Sequence, residues 1–205
     1  PIKAIKRPTL MYQPDTIERL AQWGADLRLI VSLREPVART VSAYFHFMRY
    51  NHLPMRPLNA GLADLLARHR AGERSVATKV IEYSLYERHL APWRARFGDD
   101  AMFITEMGKF SASDPVERER LFRFLDIPPA EMPTLSRQKA NTGFYSQAGL
   151  RIIRLSHRIR YRHVGAEKYV LPHRFSFAMA PLWYPLQRLA HAVEAKSQTR
   201  PKLDD

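Results

Sequence analysis

The chain has 205 residues, 45% of them hydrophobic and 26% charged, which excludes disordered, collagen-like and low-complexity chains and leaves enough apolar material for a core. It contains no cysteine, so disulfides, thiolate metal sites and cysteine nucleophiles are excluded. Lys and Arg number 33 against 20 Asp and Glu, a formal charge of +13, an excess that points either to anionic partners or to a solvated basic face.

In chain order, Leu27–Leu33 is a short, nearly continuous apolar run that predicts a parallel strand buried on both faces. Pro36 stands where a helix tolerates proline, in its first turn, and Val37, Val41, Tyr44, Phe45 and Met48 follow at helical spacing. Leu62, Leu65 and Leu66 mark a short second helix, after a Pro-rich turn at Leu53–Pro57. Thr78 to Phe97 predicts one longer helix, bent or divided at Pro92. Ala101–Thr105 reads as a second strand, and Asp114 before Pro115 as an N-cap opening a helix that ends near Leu125. Gly149–Tyr161 and Leu182–Ala195 are further amphipathic helices, beyond a Pro-rich turn at Pro128–Pro133. Strands alternating with helices predict an α/β protein with a central parallel sheet flanked by helices.

The segment that carries chemistry runs from Leu33 to Tyr44. A strand ends, Arg34 sits at its carboxyl end, and a helix begins at Pro36. Carboxyl ends of parallel strands are where α/β sheets bind ligands, and a helix N-terminus favours phosphate. Arg34 adds a planar fork of donors, and Ser42, two turns into the helix, could donate to the same anion. The plainer alternative is an arginine that closes a strand and a serine that points inward.

Strand, then Arg-x-Pro-x-x-Arg-x-x-Ser-x-Tyr, resembles the 3′-phosphate-binding segment of sulfotransferases that use 3′-phosphoadenylyl sulfate (PAPS), of the heparan-sulfate type and its bacterial relatives. The likeness continues in order over about residues 3–147. Ile5-Lys6-Arg7-Pro8 with Tyr12 is similar to the family's Glu-Lys-x-Pro-x-Tyr, with Ile5 in place of Glu and the Tyr displaced. Ser84, Tyr86, His89, Trp93 and Phe97 match its Ser-x-Tyr helix, and Met102–Glu106, Asp114-Pro115 and Phe124-Leu125 its next strand, turn and helix end. Asn141-Thr142-Gly143-Phe144-Tyr145 is similar to its Asn-x-Thr-x-Gly-Phe-Tyr, one residue shorter. The family's first strand and its Lys-x-Gly-Thr loop, which grips the 5′-phosphosulfate, have no counterpart, nor has its later Lys-Gly-Arg loop. The first strand and Lys-x-Gly-Thr loop are expected upstream of Pro1, a first residue that itself suggests processing or truncation, and the family's base usually lies there too.

The resemblance implies a P-loop-like sulfotransferase fold and transfer of a sulfuryl group from PAPS to a hydroxyl or amine, on a carbohydrate acceptor, with the 205-residue chain alone expected to be inactive. It implies Arg34 and Ser42 on the 3′-phosphate and Lys6 as the catalytic residue facing acceptor and sulfuryl group. Tyr145 would approach the nucleotide, and His46, one turn after Ser42, would line the acceptor cleft. Against these stand a surface lysine, a core aromatic and a structural histidine. Glu106, at a strand end, reads as an ion-pair residue. No spacing suits a metal, and none is expected. The domains expected are a partial sulfotransferase domain over 1–147 and a basic, mainly helical extension over 148–205, packed on the same domain. Residues 137–202 hold 13 basic and 2 acidic side chains. Ile152, Ile153, Leu155 and Ile159, interleaved with Arg151, Arg154 and Arg158, could make a basic amphipathic helix for anionic lipid. The alternative to an enzyme is thus a non-catalytic relative that binds polyanions or membranes. No nucleic-acid motif is present and none of that partner class is expected. The absent cysteine and the Ala/Arg-rich composition suit a cytoplasmic location, with peripheral membrane contact through the basic C-terminal part; separately, no apolar run reaches transmembrane length.

Overall fold

Two apolar runs far apart in the chain meet as parallel strands. In the computed structural model, which describes residues 4–7, 9–24, 27–107, 109, 115–128, 143–164 and 169–197, the elements are α1 (Asp15–Ala21), β1 (Leu29–Leu33), α2 (Pro36–Arg49), α3 (Leu58–Arg70), α4 (Lys79–Glu82), α5 (Tyr86–Phe97), β2 (Met102–Glu106), α6 (Pro115–Phe124), α7 (Gln147–Arg160), β3 (Tyr161–Val164), β4 (Tyr169–Pro172) and α8 (Ala180–Ser197). β1 and β2 pair in parallel, Leu29 opposite Met102 and Leu33 opposite Glu106. The protein is therefore α/β, with a parallel strand pair flanked by helices. The chain forms two compact units, one from Pro1–Pro36 and Leu85–Ala140, the other from Val37–Ser84 and Asn141–Asp205.

In the first unit, Leu29, Val31 and Leu33 put one face of β1 against Ile17 of α1 and Leu90 and Trp93 of α5. Of these, the buried Ile17, Leu90 and Trp93 each contribute about 1.5–3 kcal/mol, and the half-buried β1 side chains less. Trp93 also donates its indole N–H to the Met11 carbonyl at 3.2 Å, so the ring is buried without an orphaned donor. The other face differs from expectation. Ile30 is 50% exposed and Ser32 is exposed too. The helix on that side, α6, packs its Phe124 on Phe103 of β2, 5.5 Å between ring centres. Among the described residues nothing comparable covers β1, so its side chains alternate in and out.

In the second unit, α2 turns Tyr44, Phe45 and Met48 into a core shared with Leu65 of α3, Val80 of α4, Leu150 and Ile153 of α7 and Ala190 of α8. Arg154 of α7 donates to the carbonyls of Met48 and Leu53 at 2.5 and 2.7 Å, satisfying the chain that leaves α2. Gly61 on α3 leaves room for the Tyr44 hydroxyl, which donates to the Arg56 carbonyl at 3.0 Å; a Cβ there would strike that ring.

Two further departures have local causes. The helix predicted over 78–97 is instead α4 and α5, interrupted at Tyr83–Leu85, while Pro92 lies inside α5. Ser84 is engaged by Arg39 and Thr40 of α2, which holds the chain out of helical continuation. Pro92 faces solvent, so the hydrogen bond it cannot donate lies on the water side of the helix. The stretch after α7 is not all helical: Tyr161–Val164 pairs antiparallel with Tyr169–Pro172. Asp114, Asn141, Thr142 and residues 129–133 of the second Pro-rich turn lie outside the described residues.

Candidate functional site

Within the first unit, parallel pairing carries β1 to Leu33, whose carbonyl accepts from the Met107 N–H at 2.6 Å. The next residue, Arg34, is half-buried, and its carbonyl accepts the Tyr86 hydroxyl proton at 2.9 Å. Its backbone is therefore held from α5. Its guanidinium makes no hydrogen bond or ion pair with any described residue. Its five N–H donors, without a partner among the described residues, sit in a half-buried setting that suits an oxyanion. Lys6 is in the same unit, exposed on an irregular segment and without a partner among the described residues. Glu106 pairs with Lys109 at 3.7 Å, the ion-pair role expected of it.

In the second unit, α2 begins its motif with a different arginine. Arg39 donates to the Val80 carbonyl at 3.0 Å and the Ser84 hydroxyl at 3.2 Å, and lies over the Tyr83 ring at 5.4 Å. Thr40 and Ser84 share a further bond of 2.7 Å. Ser42, one turn on, is half-buried and makes no side-chain hydrogen bond to a described residue. His46 follows on the same helix face, its ring 4.9 Å from that of Tyr50. Its imidazole is open to solvent by area yet crowded by protein atoms; that burial, then the guanidiniums of Arg49 and Arg39, lowers its pKa, which favours a neutral ring. The Tyr145 ring packs edge-on against Phe45, 5.2 Å between centres, and lies close over Gly143. It sits beside the core, where its phenol is half-buried.

Two groups went unnoticed in the sequence. Glu194 of α8 accepts from the N–H groups of Tyr145 and Ser146 at 2.7 and 3.1 Å and from the Ser146 hydroxyl at 2.6 Å. Ser146 in turn caps α7 through Gly149. The one available sign was an acid, one of only two, in a basic region. The second group is an aromatic stack: Tyr50 on His157 at 4.5 Å, with Tyr161 edge-on to His157 at 5.1 Å. His157 is buried, shares a 3.0 Å bond with the Arg49 carbonyl through Nδ1, and has Nε2 unpaired among the described residues. Burial first, and Arg49 second, push its pKa down to about 4. Among the described residues no cluster of three or more His, Asp or Glu could hold a metal ion, and no helix is long and apolar enough to cross a membrane.

An arginine at the end of a parallel strand, with a helix following at a proline, is an α/β arrangement of the kind that suits an anion. Comparison with known proteins narrows that class. No family model matches the chain. It is 31% identical over 124 residues to heparan sulfate glucosamine 3-O-sulfotransferase 3B1 of Mus musculus, covering 60% of this chain and 30% of that protein. The 3A1 enzyme of the same species gives the same identity and coverage. The bifunctional heparan sulfate N-deacetylase/N-sulfotransferase 1 of Caenorhabditis elegans is 21% identical over 140 residues, 68% of this chain and 16% of that protein. The chain is thus similar to heparan sulfate sulfotransferases, as its motifs implied, and the match spans less than a third of the length of these proteins.

Proposed function

We propose that this chain is part of a sulfotransferase that moves a sulfuryl group from PAPS to a hydroxyl or amine of a glycan. The reading is carried by Arg34: in a relative of heparan sulfate sulfotransferases, a guanidinium with no partner among the described residues follows a parallel strand on a backbone clamped by Tyr86. Arg34 and Ser42 bind the 3′-phosphate, the group that separates this donor from ordinary adenine nucleotides. Both fit an oxyanion, since each keeps its donor unspent within the described protein. Lys6 faces the acceptor, His46 lines the acceptor cleft as a neutral imidazole, and Tyr145 buttresses α2 beside the nucleotide. The donor supplies an activated sulfur and a phosphate leaving group. The protein's part is to fix geometry and to set positive charge where negative charge develops. On this reading residues 1–147 form the transferase part and 148–205 a basic extension.

The test is discrimination by the chain itself. In calorimetric titration, adenosine 3′,5′-bisphosphate should bind at least about tenfold more tightly than adenosine 5′-monophosphate, because one charge-assisted contact is worth about 1.5–3 kcal/mol. Equal affinity for the two nucleotides would refute the 3′-phosphate assignment.

A further inference from the structure

The apolar residues of α7 are not available to a membrane. Ile153 is fully buried, Ile152 packs against the core and Ile159 is half-buried, leaving Leu155 alone exposed. The exposed apolar surface of this part of the chain lies elsewhere. Phe175 and Phe177 are 68% and 92% exposed on the turn before α8, and Leu182, Tyr184 and Leu189 of α8 are each more than half exposed. Leu182, Pro185 and Leu189 follow at spacings that place them on one helix face. The turn is built, not loose: the Ser176 N–H donates to the His173 carbonyl at 2.8 Å and the Met179 N–H to the Phe175 carbonyl at 3.1 Å. Trp183 donates its indole N–H to the Ser176 carbonyl at 2.7 Å. The two phenyl rings are therefore presented to solvent on a fixed frame, and little ordering entropy remains to be lost when they are covered.

Among the described residues the charge on this part of the chain is basic and largely uncompensated. Arg174 and Arg188 are exposed on the same stretch, and Arg162 is exposed on β3, opposite Leu171 in register. Among the described residues from Gly143 to Ser197 the one acidic side chain is Glu194, and its carboxylate is spent on Tyr145 and Ser146. We infer that the turn around Phe175–Phe177 and the outer face of α8 dock on an anionic lipid surface. A soluble polyanion would use the arginines and leave the phenyl and leucyl surface in water. A lipid interface takes both, with rings at the headgroup–acyl boundary and guanidiniums at the phosphates. The inference is independent of the nucleotide reading.

Co-sedimentation of the 205-residue chain with phosphatidylserine-containing vesicles tests it, with phosphatidylcholine vesicles as the neutral arm. Binding is expected to the anionic vesicles alone and to weaken with salt. The double substitution Phe175→Ser, Phe177→Ser should weaken it at least about tenfold with an unchanged circular dichroism spectrum, since both side chains are exposed. Arg174→Gln with Arg188→Gln should reduce it as well. No binding to anionic vesicles, or undiminished binding by the Phe175/Phe177 variant, overturns the inference. So does capture by soluble heparin with no vesicle binding, which would make the surface a polyanion site.

Discussion

Arg34 and Arg39 stand five residues apart in one motif, and their surroundings divide the work. Arg39 is consumed by Val80, Ser84 and Tyr83, bracing α2 against the chain after α4. Arg34 has its carbonyl fixed by Tyr86, while its guanidinium has no partner among the described residues. The order strand, Arg, Pro, helix marked Arg34 in the sequence. It could not tell the brace from the open donor, because that depends on contacts some 40–50 residues away in the chain. His157 was equally hidden: a helical histidine among arginines reads as solvated until packing places it under Tyr50. Its folded pKa of about 4 lies below the ordinary 6.5, so protons favour the unfolded chain. Its contribution to stability is complete above pH 6.5 and is lost as pH falls toward 4, on the order of 3 kcal/mol at full loss. Urea midpoints measured across this window should fall, and His157→Gln should flatten part of the fall. A variant with the wild-type slope would show that His157 is not the group responsible.

At the scale of elements, legibility followed the strength of local pattern. β2 and helices α2, α6, α7 and α8 were readable because apolar residues recur at strand or helical spacing over whole segments. The α4–α5 break was not, because bonds to Ser84 from α2 interrupt a continuous helical period. The β3–β4 hairpin was not either: its four-residue strands carry Arg162 and His163 and show no alternating apolar face. Glu194 shows how distant elements stabilise one another. Its carboxylate meets the N-terminus of α7, where free N–H groups and the helix dipole favour an anion. Glu194→Ala should lower unfolding free energy by about 2–3 kcal/mol, and Glu194→Gln by less, since it keeps an acceptor oxygen without the charge. Chemical denaturation of both variants checks this; equal and negligible losses would mean that Ser146 alone caps α7.

For the molecule as a whole, composition marked a basic protein with a basic C-terminal third, and the motifs marked its relatives, because both are properties of sequence order. The two interleaved units were not legible, since they depend on which distant segments pack together. Nor was the exposed aromatic patch in the basic part of the chain, which depends on Glu194 being bonded to Tyr145 and Ser146 while Phe175 and Phe177 face solvent. The central claim is that Arg34 reads a 3′-phosphate, with Ser42 assisting. Titration of adenosine 3′,5′-bisphosphate and adenosine 5′-monophosphate into Arg34→Ala and Ser42→Ala tests it most directly. Arg34→Ala should lose about ten- to a hundredfold in affinity for the bisphosphate and almost nothing for the monophosphate. Ser42→Ala should show the same selectivity with a smaller loss, since a neutral hydroxyl is the weaker donor. Equal losses for both nucleotides, with a lowered melting temperature in Arg34→Ala, would make Arg34 a support of the fold and contradict the account.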